Sequence, residues 1–218
     1  MVEVLHIPCF SSADPIPVLR ESLDRLSVYK RIGVVSSSQH LNRLDDVAAV
    51  LKQAGKEIVV GGQVLGCRQD NAVSLDVDAI LYVGSGRFHP LGVAVKTDLP
   101  VFILNPISQV FDVVSSDERK RYLGRRKASL VRALESEVFG VLVSSKDGQM
   151  DMKKALEVKS FLEGRGKKAY IIAAEELSPN NLLPLKVDCF VNTACPRMEA
   201  DCFHRPVVNS DDLTGFLS

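Results

Sequence analysis

The chain repeats itself. The segment VFGVLVSSKDGQ (138–149) follows the pattern of KRIGVVSSSQH (30–40), with Gly33 and Gly140 standing 107 positions apart. LKVDCFVNTACPRM (185–198) follows SLDVDAILYVGSGRF (74–88), with Asp78 and Asp188 standing 110 apart. In that register Arg87 falls on Arg197 and Ser85 on Cys195. Such a period within 218 residues means two homologous units, expected at 1–108 and 109–218, each of ordinary domain size.

Within the repeat, apolar runs alternate with amphipathic ones. Strands are expected at Glu3–Ile7, Arg31–Ser36, Lys56–Val60, Ala79–Val83 and Val101–Leu104. Pro15 suits the first turn of a helix carrying Val18, Leu19, Leu23 and Leu26. A second helix presents Leu41, Leu44, Val47, Ala48 and Leu51 on one face and ends at Gly55. A short helix follows Pro90, Asn105–Ser116 reads as the crossing between units, and a long helix runs from Asp117 to Glu135. Strands that are apolar throughout, alternating with helices, indicate parallel sheets covered on both faces. The fold class expected is therefore α/β: two tandem homologous units, each a small parallel sheet flanked by helices.

Polar and glycine residues gather just after strands, at Ser36–His40, Gly84–His89, Ser144–Gln149 and Thr193–Arg197. Ligands of parallel α/β sheets bind beyond the carboxyl ends of the strands. The four loops are expected to converge on one site between the units. The run GSGRFHP (84–90) supplies glycines for close backbone approach, with Arg87 and His89 beside them. Lys146 and Gln149, in SSKDGQ ahead of a helix, suit a carboxylate or phosphate, with a solvated loop capped by Asp151 as the plainer reading.

Five cysteines stand at 9, 67, 189, 195 and 202, none in a C-x-x-C pair. A disulfide framework is not expected, and the spacing is not that of a zinc finger. Cys67 and Cys195 lie in or near the proposed ligand loops, although a free cysteine is often a small buried hydrophobe. Cys189 reads as packing, while Cys9 closes the first strand on the ligand side and Cys202 is a weaker candidate. His6 reads as a core histidine, and His89 as facing solvent or ligand.

Lys plus Arg equals Asp plus Glu, 27 each, so the whole-chain charge argues neither for nucleic acid nor for a membrane. No apolar run approaches the roughly 20 residues of a membrane span, and MVEVLHIPCF lacks a basic signal region, so a cytoplasmic protein without direct DNA binding is expected. The helix at 117–132 carries Arg119, Lys120, Arg121, Arg125, Arg126, Lys127 and Arg132, either a solvated face or a surface for an acidic or RNA-bearing partner.

GQVLGC (62–67), YVGSGRFHP (82–90), SSKDGQ (144–149) and VNTACPR (191–197) together resemble archaeal diphthamide synthases, in order and spacing, over essentially the whole chain. The resemblance implies a 3-amino-3-carboxypropyl transferase, a radical enzyme with a [4Fe–4S] cluster whose open iron binds S-adenosylmethionine. Cleavage of the sulfonium C–S bond gives a group that is added to a histidine of translation elongation factor 2. Three homologous domains each contribute one cysteine, which leaves one iron free for the substrate. Carried onto this chain, the ligands are Cys67 and Cys195. Gln39, Gly84, Gly86, Arg87, His89, Ser145, Lys146, Gln149 and Arg197 are expected around S-adenosylmethionine, with Arg87, Lys146 and Arg197 facing its carboxylate.

The family's first domain and its cysteine have no counterpart here. The chain opens at an expected strand, as a split or shortened protein would. A second chain, a homodimer or a local residue such as Cys9 supplies the third ligand, or the chain has kept only a binding role. The alternatives are a cluster-free scaffold subunit that docks elongation factor 2 and a cluster enzyme similar to quinolinate synthase.

Overall fold

The computed structural model describes residues 5, 7–200 and 203–217. Most of the strand expected at Glu3–Ile7, together with His6 and Cys202, lies outside the described residues. Leu5 and Ile7 are exposed, without regular structure.

The chain forms two compact units that divide between Arg119 and Lys120. In the first, helix α1 (Ile16–Glu21) has a proline in its opening turn, and a 3-10 turn (Leu23–Leu26) continues its buried face. Strand β1 (Arg31–Ser36) leads through a 3-10 turn (Ser38–Arg43) into α2 (Leu44–Gln53). Then come β2 (Glu57–Gln63), α3 (Asp70–Val73), β3 (Ala79–Val83), α4 (Phe88–Ala94), β4 (Val101–Asn105) and β5 (Val110–Val113). Helix α5 (Ser116–Leu134) follows. The second unit continues with β6 (Val138–Ser144), α6 (Met152–Glu163), β7 (Lys168–Ala174), α7 (Pro179–Leu182), β8 (Cys189–Asn192), β9 (Val207–Asn209) and α8 (Ser210–Leu217).

The sheets are ordered β2-β1-β3-β4-β5 and β7-β6-β8-β9. All pairs are parallel except β4 with β5. The second order is the first without β5, so β6 occupies the place of β1, β8 of β3 and β9 of β4. Asn105–Ser116, expected as a crossing, instead holds the hairpin strand β5 and keeps it on the first sheet. Val110 is exposed and only Phe111 is buried, so this edge strand carries little apolar signal.

The unbroken apolar strands have a simple cause: each sheet is buried on both faces. Ile32, Val34, Leu81 and Leu104 pack with α1 and α2 on one side of the first sheet, while Val35, Ile80, Tyr82 and Ile103 pack with Val64, Val93 and Ala94 on the other. In the second sheet Val141, Cys189 and Val191 face Ala155, Val158 and Leu162, while Leu142 and Phe190 face Leu177 and Leu182.

The two aspartates of the repeat do the same job. Asp78 Oδ2 accepts from Lys30 N at 2.9 Å and Arg31 N at 2.8 Å. Asp188 Oδ2 accepts from Glu137 N at 3.1 Å and Val138 N at 2.9 Å. Each carboxylate closes the start of its unit's central strand from the neighbouring strand, and these amide donors hold the Asp78 carboxyl below its usual range. Burial pushes the Cys189 thiol up to about 12, an inert core side chain as expected.

Along α5, Arg119 pairs with Asp98, and Arg126 with Asp212. Lys120, Arg125, Lys127 and Arg132 are exposed. Among the described residues no helix is long and apolar enough to cross a membrane.

The repeated glycines are packing devices. A Cβ at Gly140 would lie 2.6 Å from Ile172 Cδ1 and 2.9 Å from the fully buried Phe190 ring. Gly140→Val is therefore expected to cost about 1–3 kcal/mol through overpacking, read as a lower urea midpoint with an unchanged slope.

Candidate functional site

In the first unit, three loops leave the carboxyl ends of adjacent strands. Past β2 the chain turns tightly at Leu65–Arg68. Leu65 N donates to Arg68 O at 2.8 Å and Arg68 N returns to Leu65 O at 3.2 Å, which leaves Cys67 exposed at the tip. Gly66 is required here: a Cβ would stand 2.1 Å from Phe88 Cε1. The turn that carries Cys67 thus rests on the aromatic ring of the GSGRFHP loop. Gln69, buried beneath, donates to Leu65 O at 3.1 Å and Gly66 O at 2.5 Å.

Past β3, Gly84 leaves room for Tyr82, whose Oη would be 2.7 Å from a Cβ there. Gly86 takes the left-handed conformation at φ +75°. The Tyr82 hydroxyl, turned toward Ser37, makes no hydrogen bond of good geometry, and burial pushes its pKa up. His89 stacks on the Tyr82 ring at 6.0 Å with 13° between planes, and partial burial lowers its pKa. Phe88 opens helix α4 with Pro90 inside its first turn, so the helix starts two residues ahead of that proline.

Arg87, expected to face the carboxylate of a substrate, pairs with two carboxylates of its own unit. Its Nε and Nη2 form a fork with Glu118 at 2.6 Å each, Nη1 reaches Asp112 at 2.6 Å, and Nη2 also donates to Val113 O at 3.1 Å. The fork raises the guanidinium pKa further and lowers that of Glu118. Asp112 is lowered first by the Val113 N–H and then by Arg87. Arg87 thereby fastens the loop to β5 and α5. A cleft of about 220 Å³ opens beside it, lined among others by Gly86, Asn105, Ser108 and Asp112.

After β1, Gln39 is exposed and its carbonyl accepts from Ser11 N at 2.8 Å. Cys9, close by in sequence to that contact, is exposed. His40 was not singled out by sequence reasoning. It is fully buried, its two ring nitrogens have no partner among the described residues, and burial lowers its pKa. Only the polar loop around it hinted that a histidine there is unusual.

In the second unit the SSKDGQ loop joins the ends of β6 and β7. Ser145 N donates to Ala174 O at 3.0 Å, Lys146 N to Ser144 Oγ at 3.2 Å, and Gln149 N to Lys146 O at 3.0 Å. Asp151 caps α6 by accepting from Lys154 N at 2.9 Å. Lys146 and Gln149 line a cleft of about 220 Å³ with Ser144, Glu175, Glu176 and Met198. Ser145 is not among its lining residues. The two glutamates escaped sequence reasoning because an acidic pair after a strand also reads as a solvated turn. Met198 links this cleft to the Cys195 turn, its N–H donating to Cys195 O at 3.1 Å.

Cys195 is partly exposed in the loop after β8, and Arg197, exposed, follows in the 3-10 turn Pro196–Ala200. Asn192 shapes this loop: its Nδ2 donates to Cys195 O at 2.9 Å and its Oδ1 accepts from Ala194 N at 2.9 Å. Thr193 Oγ1 donates to Leu142 O at 2.7 Å. The two cysteines thus leave non-equivalent strands of the repeat, Cys67 following β2 and Cys195 following β8. Both are free thiols on fixed, accessible turns, which suits thiolate ligands of a metal cofactor. Among the described residues, no three His, Cys, Asp or Glu side chains gather as a complete metal site.

A family profile for diphthamide synthesis proteins matches residues 1–218. The chain is 28% identical to the 2-(3-amino-3-carboxypropyl)histidine synthase of Pyrococcus horikoshii, over 97% of its own length and 65% of the relative's. It is 33% identical to the synthase of the same name from Methanocaldococcus jannaschii over 71% of this chain and 46% of that one. The crystal structure of Dph2 from Pyrococcus horikoshii with a 4Fe-4S cluster superposes with a TM-score of 0.86 at 28% identity, covering 95% of this chain and 63% of the other. The chain therefore matches between about half and just under two thirds of the length of these relatives.

A buried neutral His40 makes stability depend on pH in one direction. Its folded pKa lies below the ordinary 6.5, so its contribution is present above that pH and is lost as pH falls. Between pH 7.5 and pH 5.5 the melting temperature is expected to drop further in the parent than in His40→Leu.

Proposed function

The chain belongs to the diphthamide synthesis family, and from that premise we propose that it carries two of the three cluster ligands of a 2-(3-amino-3-carboxypropyl)histidine synthase. Cys67 and Cys195 hold a [4Fe–4S] cluster whose third thiolate comes from a second copy of this chain. The observation that supports this most is the pair of exposed or half-exposed free thiols, each on a turn held by the amide of a buried side chain, while Cys189 is locked in the core. The relative solved with a 4Fe-4S cluster shares the fold at 28% identity, which supports the same cofactor here.

When bound and reduced by an external one-electron donor, the cluster would pass that electron to the sulfonium of S-adenosylmethionine, breaking the C–S bond to give the 3-amino-3-carboxypropyl radical and releasing methylthioadenosine. The chain's own residues bind and orient that substrate. Lys146 and Gln149 take its carboxylate in the cleft of the second unit, and Glu175 and Glu176 face its cationic groups. Arg197 and Ser145 serve the edge of the same loops. In the first unit Gly84, Gly86, Gln39 and His89 shape the backbone and the aromatic-backed wall beside Cys67. Arg87, its donors given to Glu118 and Asp112, holds that wall in place. The acceptor is a histidine of translation elongation factor 2, and the exposed cations of α5 offer an acidic surface of that partner a place to dock.

Anaerobic reconstitution with ferrous iron and sulfide tests this reading. The parent and Cys189→Ala are expected to take up iron, whereas Cys67→Ala and Cys195→Ala each lose it. If both of those variants retain the parent's iron, the ligand assignment fails. Iron-free protein that still captures elongation factor 2 would identify a binding subunit instead.

A further inference from the structure

Each cysteine turn is held from beneath by one buried primary amide. Gln69 is 3% exposed, and its Nε2 takes up the two carbonyl oxygens that precede Cys67, those of Leu65 and Gly66. Asn192 is 2% exposed, and its Nδ2 takes up the carbonyl of Cys195 itself and Asn209 Oδ1, both at 2.9 Å. Neither the Cys67 N–H nor the Cys195 N–H reaches a protein acceptor among the described residues. A carbonyl oxygen facing a thiolate repels it, whereas an N–H stabilises it and sets the potential of a cluster it ligates.

The repeat separates this arrangement from ordinary turn stapling. In register, Cys195 falls on Ser85 and Asn192 on Tyr82, so the first unit lacks the amide where it lacks the cysteine. Past the extra residue in β2, Gln63 and Ala173 occupy equivalent places beside Ser36 and Val143, which sets Cys67 on Leu177 and Gln69 on Pro179, a residue with no side-chain amide. A buried amide thus accompanies each of these two cysteines and is missing from both counterpart loops.

We propose that Gln69 and Asn192 are positioning residues for the Cys67 and Cys195 thiolates, tying back the adjacent carbonyls so that backbone N–H groups face the sulfurs. The proposal rests on the cluster reading above. Residues of this kind change metal retention by about 10–100-fold when replaced.

The test uses the full chain reconstituted anaerobically with ferrous iron and sulfide, as the parent, Gln69→Met and Asn192→Leu, with Gln69→Leu and Asn192→Ser as second variants should either first one fail to fold. Iron transfer to a chelator is expected to be about tenfold faster in each variant, at a parent-like melting temperature and with shifted EPR g values of the reduced cluster. Hydrogen exchange should quicken only at 64–69 for the Gln69 variant and only at 192–198 for the Asn192 variant. Parent-like iron release and EPR signals overturn the proposal, as does loosening of both loops by either variant with a lower melting temperature. A parent that takes up no iron overturns the cluster reading and this assignment together, and is distinguished by that result.

Discussion

A parallel sheet covered on both faces leaves the chain few places for polar chemistry. The strands of both units are filled with apolar side chains above and below, and an unpaired polar group there would cost several kcal/mol in a low-dielectric medium. Polar side chains are therefore driven to the strand ends, and the carboxyl ends collect them. Ser36, Ser144, Asn192 and Thr193 are buried at those ends. Each finds a use in turning the chain rather than in the core.

The cysteine turns follow from this constraint. A thiol that serves as a ligand must be reachable, yet it must not wander. Cys67 meets both needs by standing on a turn seated on Phe88 and pinned by Gln69. Cys195 meets them through Asn192 and the Thr193 bond to the adjacent strand. Cys189, a few residues earlier in the same polypeptide, faces the core side of β8 and is chemically silent. Depth in the sheet, rather than sequence neighbourhood, separates the accessible thiols from the buried one.

Much of the fold was legible because burial on both faces writes itself as uninterrupted apolar runs. Ala79–Val83 and Arg31–Ser36 were read to the residue, and the aspartates of the repeat marked equivalent strand starts. β5 was missed because a short edge strand with one buried side chain carries no such run. The loops past the strand ends were legible from their glycines, but not the pairings that join residues far apart along the chain. The pairing of Arg87 was not legible because Glu118 and Asp112 lie 31 and 25 residues away along the chain. Gln69 and Asn192 look like ordinary polar residues in sequence, and only burial beneath the cysteine turns gives them meaning. His40 likewise sits in a polar stretch, and its isolation from any partner is a tertiary fact.

Cys67 and Cys195, on turns that leave different strands of the repeat, are proposed as ligands of one cluster. Anomalous diffraction at the iron edge, from crystals of the anaerobically reconstituted protein, tests this assignment most directly. A single group of iron peaks bonded to both Cys67 and Cys195 is expected. Iron bound to only one of them, or lodged elsewhere while both thiols stay free, would contradict it.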